Sequence, residues 1–197
     1  MGKLVYLMGK SSTGKDTIFK ELLKEGTLGL KTIVPYTTRP IRAEEQNGVE
    51  YFFTDEAEFQ RLKQENKIIE DRAYHTFHGL WRYFTVDDGQ IELDKSDYII
   101  IGTLEAYQRM KEYFGEDNLL PVMIELDDGV RLQRALDRER QQESPRYEEM
   151  CRRFLADSTD FSEEKKAEAN ITRSFYNNDL QKCLEEIKQY IRGVSEA

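Results

Sequence analysis

Cysteine is scarce in this chain, two among 197 residues, and Cys151 and Cys183 form neither a disulfide framework nor a metal-binding spacing. A reducing compartment, the cytoplasm, is the expected location. Histidine is equally rare. His75 and His78 have no cysteine or carboxylate at ligand spacing, so they are read as hairpin residues rather than a metal site. Positive charge falls short of negative, with 29 Lys and Arg against 38 Asp and Glu and a net charge of −9. An extended nucleic-acid partner needs many phosphate-neutralising cations, so none is expected. A small phosphorylated ligand stays open, because local donors decide its binding. No apolar stretch approaches membrane-spanning length and no signal peptide is read ahead of Leu4, so no membrane partner is expected. Internal repeats, low-complexity linkers and a readable Ser-His-Asp or Cys-His arrangement are also missing.

What remains is a chain 39% hydrophobic and 34% charged, long enough for one α/β domain with a real core. Its organising stretch lies at the start. Leu4-Val5-Tyr6-Leu7-Met8 is an apolar run of buried-strand length, and Thr17 to Leu23 places apolar residues at helical spacing. Between them stands Gly9-Lys10-Ser11-Ser12-Thr13-Gly14-Lys15, a glycine-bounded loop ending in lysine. Strand, such a loop and helix form a P-loop, whose backbone N–H groups and helix N-terminus cradle a polyphosphate while the lysine adds a full charge. Gly9 to Lys15 are therefore the expected ATP-binding residues, with Asp16 and Thr17 next to them. The usual motif follows its lysine with Ser or Thr as the Mg²⁺ ligand. Here Asp16 stands there and Thr17 comes one place later, so either is a candidate ligand for the metal.

Further along, Lys31 to Val34 reads as a second core strand ended by Pro35. Short aromatic β-like runs follow (Val49 to Phe53, Ile68 to Ala73, Trp81 to Val86) around a helix capped at Thr54-Asp55, and they suggest an inserted subdomain with Trp81, Tyr83 and Phe84 in its core. Core strands are expected again at Asp97–Ile101, Leu119–Leu126 and Ala169–Phe175. Helices are expected after Gly102, from Asp127-Asp128, from Ser144-Pro145 and from Leu180.

Two charge patterns carry chemistry. Arg39 and Arg42, three apart and followed by Tyr51, can grip one phosphate, since guanidinium forks match its oxygens and a phenol adds a donor; a solvated hairpin explains the same residues equally well. Arg131, Arg134 and Arg138 share one helix face, where their repulsion calls for a partner: either Asp127, Asp137 or Glu139, or the phosphates of a nucleotide, with Arg146, Arg152 and Arg153 arriving from the polar stretch that follows.

With these residues on the page, the chain resembles a guanylate kinase over nearly its whole length. Arg39, Arg42, Glu45 and Tyr51 fall on the positions of that family's GMP-phosphate motif, Glu70 on the acid that reads guanine, and Arg134, Arg138 and Arg152 or Arg153 on its lid arginines. Asn177-Asn178-Asp179-Leu180 resembles its loop near adenine. The resemblance implies a three-layer α/β/α P-loop core with a parallel sheet (1–35 and 96–197, with a lid at about 139–157) and an inserted β-rich NMP-binding subdomain (36–95). It implies Mg²⁺-dependent transfer of the γ-phosphate of ATP to GMP, with Lys15, Arg39, Arg134, Arg138 and Arg152 in catalysis. Departures are concentrated at the base. Pro35 replaces a serine, His78-Gly79-Leu80 replaces a Tyr-Gly-Ser/Thr triplet with His78 as the substrate-binding position, and Ile100 and Gly102 replace an acidic pair. Guanine reading then rests on Glu70. The Lys15-Asp16 pair also resembles ribose 1,5-bisphosphate phosphokinases, and a non-catalytic guanylate-kinase-like binding module is a third reading.

Overall fold

The computed structural model describes residues 2–24, 26–42, 45–76 and 79–195. It opens on β1 (Leu4–Met8), every residue of which is buried. Leu4, Tyr6 and Met8 point into one apolar cluster and Val5 and Leu7 into another. A strand apolar on both faces is a central strand covered by helices on both sides. On one side lie α1 (Lys15–Lys24), through Ile18 and Leu22, and the closing helix α7 (Leu180–Ser195), through Cys183, Leu184, Ile187 and Ile191. On the other lies α3 (Leu104–Phe114), through Leu104, Ala106, Tyr107 and Met110.

The core sheet is parallel throughout. Its order is β2 (Lys31–Thr32), β7 (Tyr98–Ile101), β1, β8 (Leu119–Glu125) and β9 (Ser174–Tyr176). Because β1 sits between β7 and β8, the loops leaving its C-terminal end open into the crevice where ligands of such sheets bind. The three-layer α/β/α arrangement with a parallel sheet expected from the sequence is thus present.

Between β2 and β7 the chain builds a second sheet, ordered β4 (Phe52–Phe53), β3 (Tyr36–Thr37), β6 (Gly79–Val86) and β5 (Ile68–Thr76). Helix α2 (Glu56–Gln64) caps itself through Asp55, whose carboxylate accepts from the Glu58 N–H at 2.8 Å, and packs Phe59 and Leu62 against Phe84 and Val86. Phe84 belongs to this core, while Trp81 and Tyr83 are half-buried. In the long β5/β6 hairpin Glu70 faces Thr85 and Arg72 faces Tyr83.

After β8, Asp127 caps α4 (Asp128–Arg140), and α5 (Tyr147–Asp160) and α6 (Glu163–Glu168) follow. Three expectations are corrected. Only Lys31 and Thr32 pair as β2, because Val34 donates its N–H to Gln90 Oε1 at 2.9 Å and leaves the sheet. The run from Ala169 begins as the end of α6, capped by Ser162, and pairs as β9 only from Ser174. Helix α5 starts at Tyr147, beyond Pro145.

Candidate active site

Gly14 stands where the P-loop passes Asn177, which follows β9: a Cβ at Gly14 would collide with the Asn177 amide nitrogen, and φ there is 92°. Asn177 is buried and donates Nδ2–H to the Thr13 carbonyl at 2.7 Å. Among the described residues two buried side-chain polar atoms have no hydrogen-bond partner, Ser12 Oγ and Asn177 Oδ1. Both belong to the expected ATP set. A buried polar group left unpaired is costly, so an incoming ligand that bonds both relieves the loop.

Lys15 opens α1, and burial lowers its pKa while the Asp16 and Asp157 carboxylates oppose the shift and Arg138 and Arg131 add to it. Asp16 and Thr17 are exposed in the first turn of α1. Lys10 leans towards Asp128 at 3.4 Å, and Thr13 closes the loop by donating Oγ1–H to the Lys10 carbonyl at 2.9 Å. Asp157, on α5, accepts the Ser11 N–H at 2.8 Å. Arg131 completes the knot: Nε donates to the Ser11 carbonyl at 2.9 Å, Nη2 to Asp157 at 2.7 Å, and Nη1 to Asp128. Its guanidinium also lies 4.9 Å from the Phe154 ring centre.

The arginine stripe on α4 therefore divides. Arg131, 1% exposed, is neutralised by Asp128 and Asp157, not by the Asp127, Asp137 or Glu139 considered from spacing. Among the described residues Arg134 and Arg138 have no ion-pair partner. Arg134 Nη1 lies 3.8 Å from the point a Gly14 Cβ would occupy. A cleft of about 490 Å³ is lined by Ser11 and Ser12 of the loop, Arg138 of α4, Arg146, Arg153 of α5, and Arg42 from the second sheet's connection. Arg152 is not on that lining. It is exposed, with Nε and Nη2 at 2.7 and 2.8 Å from Glu149. Successive helical residues diverge by about 100°, so only one of the Arg152/Arg153 pair can face the cleft, and it is Arg153. Their shared partner Glu149 is held down to about 2, first by Arg152 and also by Arg153.

In the connection between β3 and β4, Arg39 is 3% exposed and its fork is bonded bidentately to Glu45 at 2.9 and 2.8 Å, over the rings of Tyr51 and Phe53, each 5.5 Å away. Glu45 also accepts the Arg42 N–H at 2.9 Å. The carboxylate thus holds the arginine segment together. Glu70 is 5% exposed; it accepts from Thr85 Oγ1 at 2.8 Å and from Arg72 Nε at 3.1 Å and Nη2 at 3.3 Å. His78 lies outside the described residues. Ile100 is 5% exposed in the core.

Sequence reading missed Asp157, Arg72, Thr85 and Tyr6. Arg72 had a signal, since residues two apart on a strand share a face. Asp157 had none, its partner Ser11 being 146 residues away.

Comparisons with known proteins find relatives along nearly the whole chain. A family model described as guanylate kinase matches residues 1–194. The chain is 28% identical over 208 residues to a guanylate kinase of Porphyromonas gingivalis, covering 97% of each. To a guanylate kinase of Mycoplasma mobile it is 30% identical over 198 residues, covering 97% of this chain and 92% of that protein. A crystal structure of guanylate kinase from Anaplasma phagocytophilum superposes with a TM-score of 0.67 at 18% identity, over 98% of this chain and 85% of the other.

Proposed function

This chain belongs to the guanylate kinase family, whose members are ATP-dependent phosphotransferases, and we propose from that premise how its own residues divide the transfer of the γ-phosphate of ATP to GMP. The donor side is the P-loop. Lys15 and the amides of residues 9–15 hold the β- and γ-phosphates, and Asn177 meets the adenine side. Arg42, the Arg39 guanidinium held by Glu45, and the Tyr51 phenol hold the acceptor phosphate, within a subdomain at 36–95. Glu70 reads the base.

Arg138 and Arg134 face the charge that builds on the transferred phosphoryl group, joined by Arg153 from a lid at 139–157. Helix α5 contributes no buried residue to the core, as a moving element should not. The acceptor oxygen belongs to a phosphate already largely ionised near neutral pH, its second pKa being about 6, so no general base is required. Positioning and electrostatics carry the reaction. The Asp16 carboxylate and Thr17 hydroxyl are hard oxygen donors beside the phosphate site, which suits Mg²⁺, an ion held by one or two carboxylates plus substrate phosphates; it would neutralise charge between donor and acceptor. Absence of a membrane-length apolar helix among the described residues and two unpaired cysteines support a cytoplasmic enzyme.

One observation carries the reading: Ser11 and Ser12 of the loop, Arg138 of α4 and Arg42 of the insert line a single cleft. The test is ADP release from ATP and Mg²⁺ scanned over GMP, dGMP, AMP, UMP and ribose 1,5-bisphosphate. Turnover with GMP is expected. Turnover with the bisphosphate alone would replace it by the second reading, which the Lys15-Asp16 pair supports. Silence on all of them would indicate a binding module.

Asp16→Ala is expected to lower turnover and to raise the Mg²⁺ concentration at half-maximal rate by roughly 10–100-fold. A magnesium titration of both proteins checks it, and superimposable curves would remove Asp16 from the metal's surroundings.

A further inference from the structure

Glu70 and Arg72 project from one face of β5, and Arg72 spends Nε and Nη2 on the Glu70 carboxylate at 3.1 and 3.3 Å. Thr85, opposite Glu70 on β6, adds its hydroxyl at 2.8 Å. From the core sheet Tyr6 of β1 reaches the same place. Its phenolic oxygen occupies the volume that a Cβ at Gly102 would need, so no side chain can stand at 102 while Tyr6 is present. Among the described residues none hydrogen-bonds this hydroxyl. The Tyr6 pKa is raised by its burial, with Arg72 opposing and Glu70 adding, so these three groups feel one another.

Counting lone pairs gives the consequence. A carboxylate offers about four acceptor sites. Oε1 of Glu70 already accepts from Thr85 and from Arg72 Nη2, and Oε2 from Arg72 Nε, leaving one site on Oε2. The edge of guanine presents two donors side by side, N1–H and the 2-amino group. Donors, by contrast, remain: Nη1 of Arg72 lies outside the ion pair, with the Tyr74 phenol as the guanidinium's other neighbour, and the Tyr6 hydroxyl is unspent.

We propose that Arg72 and Tyr6 are specificity-determining residues of the acceptor pocket, and that they leave the 2-amino group of the base unread, so that 6-oxopurine nucleotides with and without it are phosphorylated alike. Glu70 takes N1–H, while Arg72 and Tyr6 supply donors to O6 and N7, the acceptors an arginine fork matches. Inosine monophosphate has all of these and lacks only the amino group. Adenosine monophosphate offers an acceptor at N1 and a donor at position 6, the reverse pattern, and stays a poor substrate. This inference rests on the acceptor assignment above.

The experiment measures kcat/KM of the full chain for GMP, IMP and AMP. A site built to bond a substrate N–H rejects the analogue lacking it by roughly 10⁴–10⁵; here IMP is expected within about tenfold of GMP, since one unread group leaves at most about one 1.4 kcal/mol step. Arg72→Ala releases two acceptor sites on Glu70 for the amino group and is expected to raise the GMP-to-IMP ratio by about tenfold or more. Tyr6→Phe keeps the ring packing on Tyr107, 5.3 Å away, and is expected to narrow the margin of GMP and IMP over AMP. GMP used with IMP rejected by about 10³ or more in the unaltered protein, which needs no variant to fold, would overturn the inference and leave the guanylate kinase reading intact. An unchanged ratio in a folded Arg72→Ala would do the same, and an unchanged margin in Tyr6→Phe would reduce Tyr6 to a filler over Gly102. Use of ribose 1,5-bisphosphate with no purine nucleotide would instead overturn the acceptor assignment itself.

Discussion

Arg138→Ala is expected to lower kcat for transfer from ATP to GMP by about 10³-fold or more, the scale on which a single arginine facing a transferred phosphoryl group acts. ATP affinity is expected to stay within a few-fold. The physical ground is that Arg138 forms no ion pair among the described residues, although it lines the cleft next to the loop, with Glu139 and Glu149 on the same lining, and its charge depresses the Lys15 pKa. Arg138 and Lys15 repel, an effect the Asp16 and Asp157 carboxylates near Lys15 oppose, and an incoming phosphate would relieve it further. Removing Arg138 should therefore leave the melting temperature unchanged or higher. Arg140, 60% exposed and paired with Asp137, is the control on the same helix, and Arg140→Ala is expected to turn over normally. Steady-state kinetics, ATP titration calorimetry and thermal unfolding check all three quantities. If the loss in kcat/KM came entirely through ATP binding, Arg138 would be a ground-state contact and not a group acting on the moving charge.

How far the sequence could be read follows from how local each cause is. The loop at 9–15 was legible because its strand, glycines, lysine and helix lie within about twenty consecutive residues, and each makes sense only with the others. The second sheet was visible as a change of texture, and α2 through the Asp55 cap. By contrast, spacing placed Arg131, Arg134 and Arg138 on one face but did not separate them, because one of the two anions that claim Arg131 belongs to α5 and the carbonyl it holds is Ser11, 120 residues away. Arg152 and Arg153 are likewise equivalent in composition; only the phase of α5 about its axis decides which faces the cleft. The loss of acids at 100 and 102 was plain in the sequence, yet its physical partner was not. Tyr6, on the neighbouring strand and paired with Ile100 two residues before Gly102, fills the space a side chain at 102 would need. Glu70 could be assigned from resemblance, while the arginine two residues on that occupies its lone pairs passed unnoticed.

Arg131 supplies the opposite result to Arg138 from the same helix face. Arg131→Met is expected to destabilise the fold by about 3–5 kcal/mol, the range for breaking a buried ion pair by removing one partner. Its side chain is 1% exposed, and its loss leaves Asp157, itself 13% exposed, with only the Ser11 donors. The Ser11 carbonyl also loses its donor. Urea unfolding read by circular dichroism measures this as a fall in midpoint with an unchanged slope. Asp157→Asn in the same background tests the cause, because once Arg131 is gone the negative charge is the liability; the double variant should be less damaged than the sum of the two single ones. Saturating ATP should recover part of the stability of Arg131→Met, since ligand binding to the native loop adds to its free energy. A midpoint that did not move, together with a collapse of kcat, would place Arg131 with Arg138 and mean that Asp157 gives up its partner to the nucleotide. Three arginines at helical spacing are thus chemically identical until their anions are identified: the one given a carboxylate by the fold holds the loop in shape, and those left without one are free for phosphate.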